Sequence, residues 1–270
     1  MKKGKITLVP DSGLANRMRA ILSAHALCTL TGSDLAVVWL RDRGLNAKFS
    51  DLFQPSTMLS VADGGLFSKC MLQAPLKRNL YLPAIYQRIC FDALIYDWTR
   101  PANQADYKPL VSGKNVYICS GLEFFDADYS LTKQFFKPVP EIQAKIDANM
   151  ALLGPNPVGV HIRRTDNAIS IANSPVSLFI EAMKKHPDSK FFLATDDEDV
   201  KSQLRAEFAG RIVTSSAKSS RSSKDGMVDA VVDLFTLAST SYVIGSYWSS
   251  FSDIAIAIAG QGEIINKERS

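Results

Sequence analysis

Along the second half of the chain, short apolar runs alternate with longer segments whose apolar residues recur at helical intervals. Residues 157–162, 190–195, 211–213, 241–245 and 263–265 read as strands. Between them, 175–185, 197–208, 227–238 and 249–259 read as helices, the first with a proline in its opening turn. The first half opens the same way, with a strand at 5–9, a helix at 15–30 and a strand at 34–40, and a further strand follows at 116–119. Continuous apolar strands separated by helices predict parallel sheets covered on both faces, hence an α/β fold. Residues 41–109 carry no clear period. Pro138-Val139-Pro140, ahead of a helix at 141–152, reads as a hinge, so the expected lobes are residues 1–138 and 139–270. The serine-rich stretch 215–224 reads as a polar loop.

Composition narrows the class. With 46% hydrophobic and 21% charged residues, the 270-residue chain has the balance of a soluble globular protein. Its net charge of +4 is spread without a basic run, so nucleic acid is not an expected partner and a small anionic substrate is. The apolar run at 6–10 is too short for a secretory signal, and 254–259 is far below a membrane span. The expected location is cytoplasmic, without a transmembrane segment. Cys28, Cys70, Cys90 and Cys119 sit in apolar contexts without metal-ligand spacing and read as reduced core residues.

In an open parallel sheet, ligands lie outside the carboxyl ends of the strands. The unusual polar clusters of this chain fall at those positions. His161-Ile-Arg163-Arg164-Thr165-Asp166 leaves one predicted strand. Guanidinium forks match phosphate oxygens, and an arginine beside a departing nucleoside diphosphate stabilises the charge that grows there. Thr195-Asp196-Asp197 leaves the next strand; helix capping accounts for all three, unless Thr195 or Asp196 touches a neighbouring arginine, ribose or phosphate. Ser246-Tyr-Trp-Ser249-Ser250-Phe251-Ser252 opens a helix, where free N–H groups and hydroxyls favour phosphate; capping explains only one of these serines. Asp229 and Asp233 share a helical face, which in most proteins is simply solvated. Guanine offers two adjacent donors, N1–H and the 2-amino group, that one carboxylate accepts, and Asp233 is the candidate for that role. Asp11-Ser-Gly13-Leu-Ala-Asn16-Arg17 turns from strand to helix and is suited to an anion, though it is not a P-loop or dinucleotide fingerprint.

Together these residues resemble the fucosyltransferase superfamily that includes the α1,6-fucosyltransferases, the rhizobial nodulation fucosyltransferase and the protein O-fucosyltransferases. His161 to Asp166 is similar to that family's His-x-Arg-Arg-x-Asp motif, and Phe192 to Asp197 to its second motif. Asp233 with Ser249, Ser250, Phe251 and Ser252 resembles its guanine-reading and phosphate-binding region, and Gly13, Asn16 and Arg17 its N-terminal Gly-x-x-Asn loop. The resemblance covers about residues 158–258 well and the first half only at its opening. It implies a GT-B arrangement of two Rossmann-like lobes, with the donor in the C-terminal lobe and the acceptor on the N-terminal one. It further implies an inverting, metal-independent transfer of fucose from GDP-fucose to a glycan or other hydroxyl acceptor, in bacterial glycan assembly. On that reading Arg163 carries the leaving-group charge, and His161 and Arg164 support it. Two positions depart from the pattern. Asn167 stands where the α1,6 enzymes have lysine, and residues 168–171 hold no carboxylate where those enzymes carry a glutamate. The nearest groups to take the acceptor's proton are Asp166 and Asp11. The missing glutamate equally suits a nucleotide-sugar binding protein without efficient transfer. A transferase reading another nucleotide is the third option, which Asp233 disfavours.

Overall fold

The computed structural model describes residues 3–72, 82–164, 167–215 and 222–268. Thr165, Asp166 and most of the serine-rich stretch lie outside the described residues. The chain divides into two compact units, Met1–Lys137 with Arg221–Lys224, and Pro138–Ser220 with Asp225–Ser270.

In unit 1 the elements run β1 (Lys5–Pro10), α1 (Leu14–Thr31), β2 (Asp34–Trp39), β3 (Val61–Asp63), α2 (Leu66–Leu72), α3 (Leu82–Cys90), β4 (Ala93–Tyr96), α4 (Tyr107–Val111), β5 (Asn115–Ser120) and α5 (Thr132–Phe135). The sheet is parallel throughout, in the order β3-β2-β1-β5-β4. The central strand β1 pairs on both edges, Lys5 standing opposite Asp34 and Asn115, and Ile6 and Leu8 are fully buried. Burial on both faces is why that strand is apolar at consecutive positions. Helix α1 packs on β1 and β2 and stops at Gly32, whose positive φ lets its N–H close back on the Cys28 carbonyl.

Unit 2 repeats the plan with α6 (Pro140–Leu153), β6 (Val158–Ile162), α7 (Ala168–Asn173), α8 (Val176–Lys184), β7 (Phe191–Thr195), α9 (Glu198–Glu207), β8 (Ile212–Val213), α10 (Lys224–Ala238), β9 (Tyr242–Ser246), α11 (Ser250–Ala259) and β10 (Gly262–Ile265). Its order is β10-β9-β6-β7-β8, again all parallel. Val158, Val160 and Ile162 of β6 join Phe191, Leu193 and Ile244 from its neighbours in one core with Phe179, Met183 and Leu204 from the covering helices. Two Rossmann-like units of this kind make a GT-B-like α/β protein, as the hydrophobic pattern and the resemblance predict.

Three expectations are corrected. Among the described residues, 41–109 hold β3, β4, α2, α3 and the start of α4; the elements are short and the two strands are the edges of the sheet, so no apolar period develops. Cys28 is buried and Cys119 half-buried as expected, whereas Cys70 and Cys90 are exposed on α2 and α3. Helix α10 starts at Lys224, three residues before the apolar periodicity begins. Among the described residues, no helix is long and apolar enough to cross a membrane.

Strand order also places the crevices. In unit 2 the chain moves from β6 outward to β7 and β8, then returns to lay β9 on the other side of β6. The switch point therefore lies between the carboxyl ends of β6 and β9, and in unit 1 between those of β1 and β5.

Candidate functional site

At the unit 2 switch point, the segments leaving β6, β7 and β9 are tied together by side-chain hydrogen bonds. Ser246, the last residue of β9, accepts the Arg163 N–H at 2.9 Å and donates to the His161 carbonyl at 3.1 Å, extending the pairing of the two strands past their ladder. From β7, Asp196 accepts the Arg164 N–H at 2.8 Å with one oxygen, and its other oxygen lies 3.1 Å from the Arg163 guanidinium. One carboxylate thus sets both the backbone and the side chain of the arginine pair. Arg163 remains half-buried, at the rim. The condition attached to Asp196 is met, since it touches the neighbouring arginine. Thr195 accepts from the Asp197 N–H, and Asp197 caps α9 by accepting from Asp199 and Val200, so for those two residues the capping account holds.

Arg164 is 8% exposed. One terminal nitrogen donates to the Ser174 carbonyl at 2.5 Å, while the other, Nη1, is buried without a hydrogen-bond partner. A buried guanidinium nitrogen is costly to leave unsatisfied, and burial lowers the Arg164 pKa.

His161 is enclosed. Its Nδ1 lies 2.7 Å from Ser252 Oγ, and its ring meets Phe251 at 4.8 Å between centroids. Ser252 Oγ also accepts the Ser246 N–H at 2.9 Å, so its own proton is free to go to Nδ1, leaving the imidazole proton on Nε2. Burial first, and then the adjacent Arg163 charge, push the His161 pKa down to about 3. The ring is neutral at physiological pH. In an NMR titration the His161 ring resonances are expected to stay those of a single neutral tautomer from about pH 5 to about pH 9. Because the folded pKa lies below the ordinary value, stability from this residue is full above pH 6.5 and is lost as pH falls towards 3.

The loop after β9 is unusual in its backbone. Trp248 is exposed and has φ 56°, in the left-handed region where bulky residues are rare. Asn167 holds it there: its Nδ2 donates to the Trp248 carbonyl at 2.9 Å, while its Oδ1 caps α7 by accepting from Ser170. Asn167 therefore joins the β6 and β9 exits. Ser249 occupies the N-cap of α11 and is buried, yet makes no capping hydrogen bond through its side chain, so ordinary serine capping does not account for it. Ser250 and Phe251 follow, half-buried, in the first turn. Gly245 is required by this packing, because a Cβ there would stand 2.6 Å from Ser252 Cβ.

Asp233 lies on α10, half-buried, and its carboxylate accepts from Ser215, just beyond the end of β8. Burial, reinforced by Asp229, raises its pKa to about 7 against the opposing Ser215 bond. Asp229 pairs instead with Lys145 at 3.6 Å, the solvated-face behaviour common for such residues.

Gly13, Asn16 and Arg17 belong to unit 1, at its own switch point, together with the exposed Asp11. Arg17 corrects its expectation. It is fully buried, donating to the Ser12 and Leu40 carbonyls, pairing with Asp42 at 2.7 Å and stacking over Trp39. Its guanidinium organises the turn from within and has no face left for a ligand. Asn16 retains a buried Oδ1 without a partner. Among the described residues, no group of three or more His, Cys, Asp or Glu side chains gathers around a metal-sized space. Sequence reasoning missed Ser174 as an organiser of the site, since an isolated serine carries no pattern; Ser246 was named only within the serine cluster and Asn167 only as a departure from the resemblance, and the fold shows the contacts that each makes.

Paired parallel units with polar clusters at their carboxyl edges define a GT-B-like protein. In particular, the fold is similar to that of solved fucosyltransferases. The NodZ α-1,6-fucosyltransferase soaked with GDP-fucose matches at TM-score 0.65 and 19% identity, over 95% of this chain and 93% of that one. Another NodZ structure in the comparison is from Bradyrhizobium. POFUT1 in complex with GDP-fucose matches at TM-score 0.55 and 10% identity, over 98% of both chains. A FUT1 variant from Arabidopsis thaliana, in complex with GDP, matches at TM-score 0.60 and 13% identity, over 97% of this chain and 70% of that one. No protein-family model matches the chain, and no curated protein matches it in sequence.

Proposed function

We propose that the chain is a glycosyltransferase that moves fucose from GDP-fucose to a carbohydrate-like hydroxyl acceptor, with inversion and without a metal ion. Residues 139–270 form the donor side and 1–138 the acceptor side. The observation that carries the reading is the Arg163–Asp196 pair beside the unsatisfied Arg164 Nη1, at the switch point of unit 2. Two guanidinium groups at a carboxyl edge suit a diphosphate, and the one at the rim, Arg163, oriented by Asp196, faces the charge that grows on the leaving oxygen. The serines at the start of α11 and their N–H groups add donors of the kind a phosphate takes. Asp233 is the base-reading carboxylate. Fold likeness to proteins solved with GDP or GDP-fucose supports the donor class.

In the transfer, the acceptor hydroxyl attacks the anomeric carbon from the face opposite the diphosphate, the bond to the diphosphate breaks, and the hydroxyl proton passes to a carboxylate. Asp166 and Asp11 are the candidates for that carboxylate. Helix α7, which holds no carboxylate, keeps open a second reading, a nucleotide-sugar binding protein that does not transfer. Calorimetric titration with GDP, UDP and ADP in buffer containing EDTA tests the donor assignment. GDP-selective binding is the expected result; equal weak binding of all three would leave the fold standing and remove GDP-fucose. Turnover of GDP-fucose in EDTA then separates transferase from binding protein.

A further inference from the structure

In unit 1 an aromatic row runs from the sheet to the surface at the end of β4. Phe91 meets Tyr117 at 5.4 Å, Tyr117 meets Tyr96 at 5.8 Å, and Tyr96 is stacked on Trp98 at 4.8 Å with 2° between their planes. The inner rings are core: Tyr117 is fully buried and Tyr96 is 7% exposed. Trp98 is 71% exposed. One indole face is backed by Tyr96 and the other is open to solvent.

The indole is held, not loosely hung. The Tyr96 hydroxyl donates to Gln87 Oε1 at 2.5 Å, and Gln87 Nε2 donates to the Leu72 carbonyl at 2.8 Å, fixing the backing ring from α3. The loop carrying Trp98 is a closed turn, with the Thr99 N–H on the Tyr96 carbonyl at 2.9 Å and the Tyr96 N–H on Thr99 Oγ1 at 3.0 Å. Between the two aromatic residues, Asp97 turns the other way. It accepts from Ser120 Oγ at 2.5 Å and from the Gly121 N–H at 3.2 Å, which anchors the turn to the end of β5. The exposed side chains that follow, Thr99, Arg100, Asn103, Gln104 and Asp106, are polar.

A rigid, flat, solvent-facing indole whose exposed neighbours in the chain are mostly polar is poorly matched to a protein partner, whose contact core needs contiguous apolar surface. It matches a pyranose. The C–H bonds on one sugar face carry partial positive charge and suit the electron-rich indole face, while the ring hydroxyls need polar neighbours. Fixing the ring beforehand removes most of the ordering cost of binding. We infer that Trp98 is a carbohydrate-stacking platform, the part of unit 1 that takes a pyranose of the acceptor. This inference rests on the transferase reading for the word acceptor, though not for the sugar.

The test uses the full-length protein on an array of defined oligosaccharides, followed by affinity measurement on the strongest hit by saturation-transfer NMR. Trp98→Ala and Trp98→Phe are measured beside wild type, with GDP titrated separately into all three. Trp98→Ala is expected to weaken glycan binding by roughly tenfold or more, the factor for losing one stacking contact, and Trp98→Phe to recover much of it. GDP affinity and melting temperature are expected to stay as in wild type. Absence of any glycan hit, or glycan affinity unaltered in Trp98→Ala, overturns the platform even where GDP binds well. A change of oligomeric state in Trp98→Ala with glycan affinity unaltered overturns it in favour of a protein partner. Loss of glycan affinity in Trp98→Ala alongside no GDP binding in wild type leaves the sugar site standing and removes the GDP-fucose reading.

Discussion

Arg163→Ala is expected to slow turnover of GDP-fucose by about a hundredfold to a thousandfold, equivalent to roughly 3 kcal/mol of barrier, by analogy with removing one preorganised oxyanion donor. The variant keeps Arg164, the α11 serines and Asp233, so GDP should bind it far better than that loss would suggest. The asymmetry follows from where the charge develops. In the ground state the diphosphate shares its charge among all its donors, whereas in the transition state it gains charge at the leaving oxygen, where a rim arginine can respond. Arg163→Lys is expected to recover part of the rate, because it restores the charge without the planar fork that Asp196 holds. Initial rates of GDP release, with water or a glycan as acceptor, measure both variants. Folding is a minor confound, because Arg163 is half-buried at the rim and its loss still leaves Asp196 bound to the Arg164 N–H. A wild-type rate in Arg163→Ala would remove the leaving-group role.

GDP affinity is expected to fall about tenfold between pH 8 and pH 6, because a carboxylate with a pKa near 7 goes from mostly ionised to mostly neutral over that window. Asp233 reads guanine only as the carboxylate, which accepts from both N1–H and the 2-amino group. Asp233→Asn is expected to bind GDP roughly a hundredfold more weakly at pH 8, for the loss of charge-assisted hydrogen bonds, and to show no such pH dependence. Folding responds in the opposite sense. Burial lifts the folded pKa from its usual 3.8 to about 7, so the neutral form favours folding. That contribution is full below pH 3.8 and is lost as pH rises through 7. Thermal melts of the free protein should therefore gain from Asp233→Asn at pH 8 more than at pH 6, while the GDP-induced shift of wild type is larger at pH 8. Equal GDP affinity at both pH values would separate Asp233 from base recognition.

The architecture was legible because parallel strands buried on both faces must be apolar at consecutive positions. Strands at 158–162, 191–195 and 242–246, with helices between them, leave no other economical arrangement. The same logic singled out the candidate site, since polar residues that interrupt apolar strands at their carboxyl ends mark the edge where a ligand is expected. His161, Arg163, Asp196 and Ser252 are on that edge for this reason. The stretch 41–109 was illegible for the converse reason: three- and four-residue edge strands and short helices bury too little surface to impose a period.

Tertiary structure alone decided what each polar residue does there. Arg17 and Arg163 look alike in sequence, each following a strand, yet one is enclosed by Ser12, Leu40, Asp42 and Trp39 while the other sits at a rim with Asp196. Ser249 and Ser252 are three residues apart on one helix, yet only Ser252 reaches His161, across from another strand. Tyr96 and Trp98 are two aromatic residues two positions apart; packing made the first a backing ring and the second an open face. Side-chain type and spacing along a strand determine which edge a residue belongs to, because strand periodicity is local. Whether a guanidinium, hydroxyl or indole is spent on protein or left for a ligand depends on partners tens of residues distant in the chain, brought within 3 Å only when the sheet closes around them.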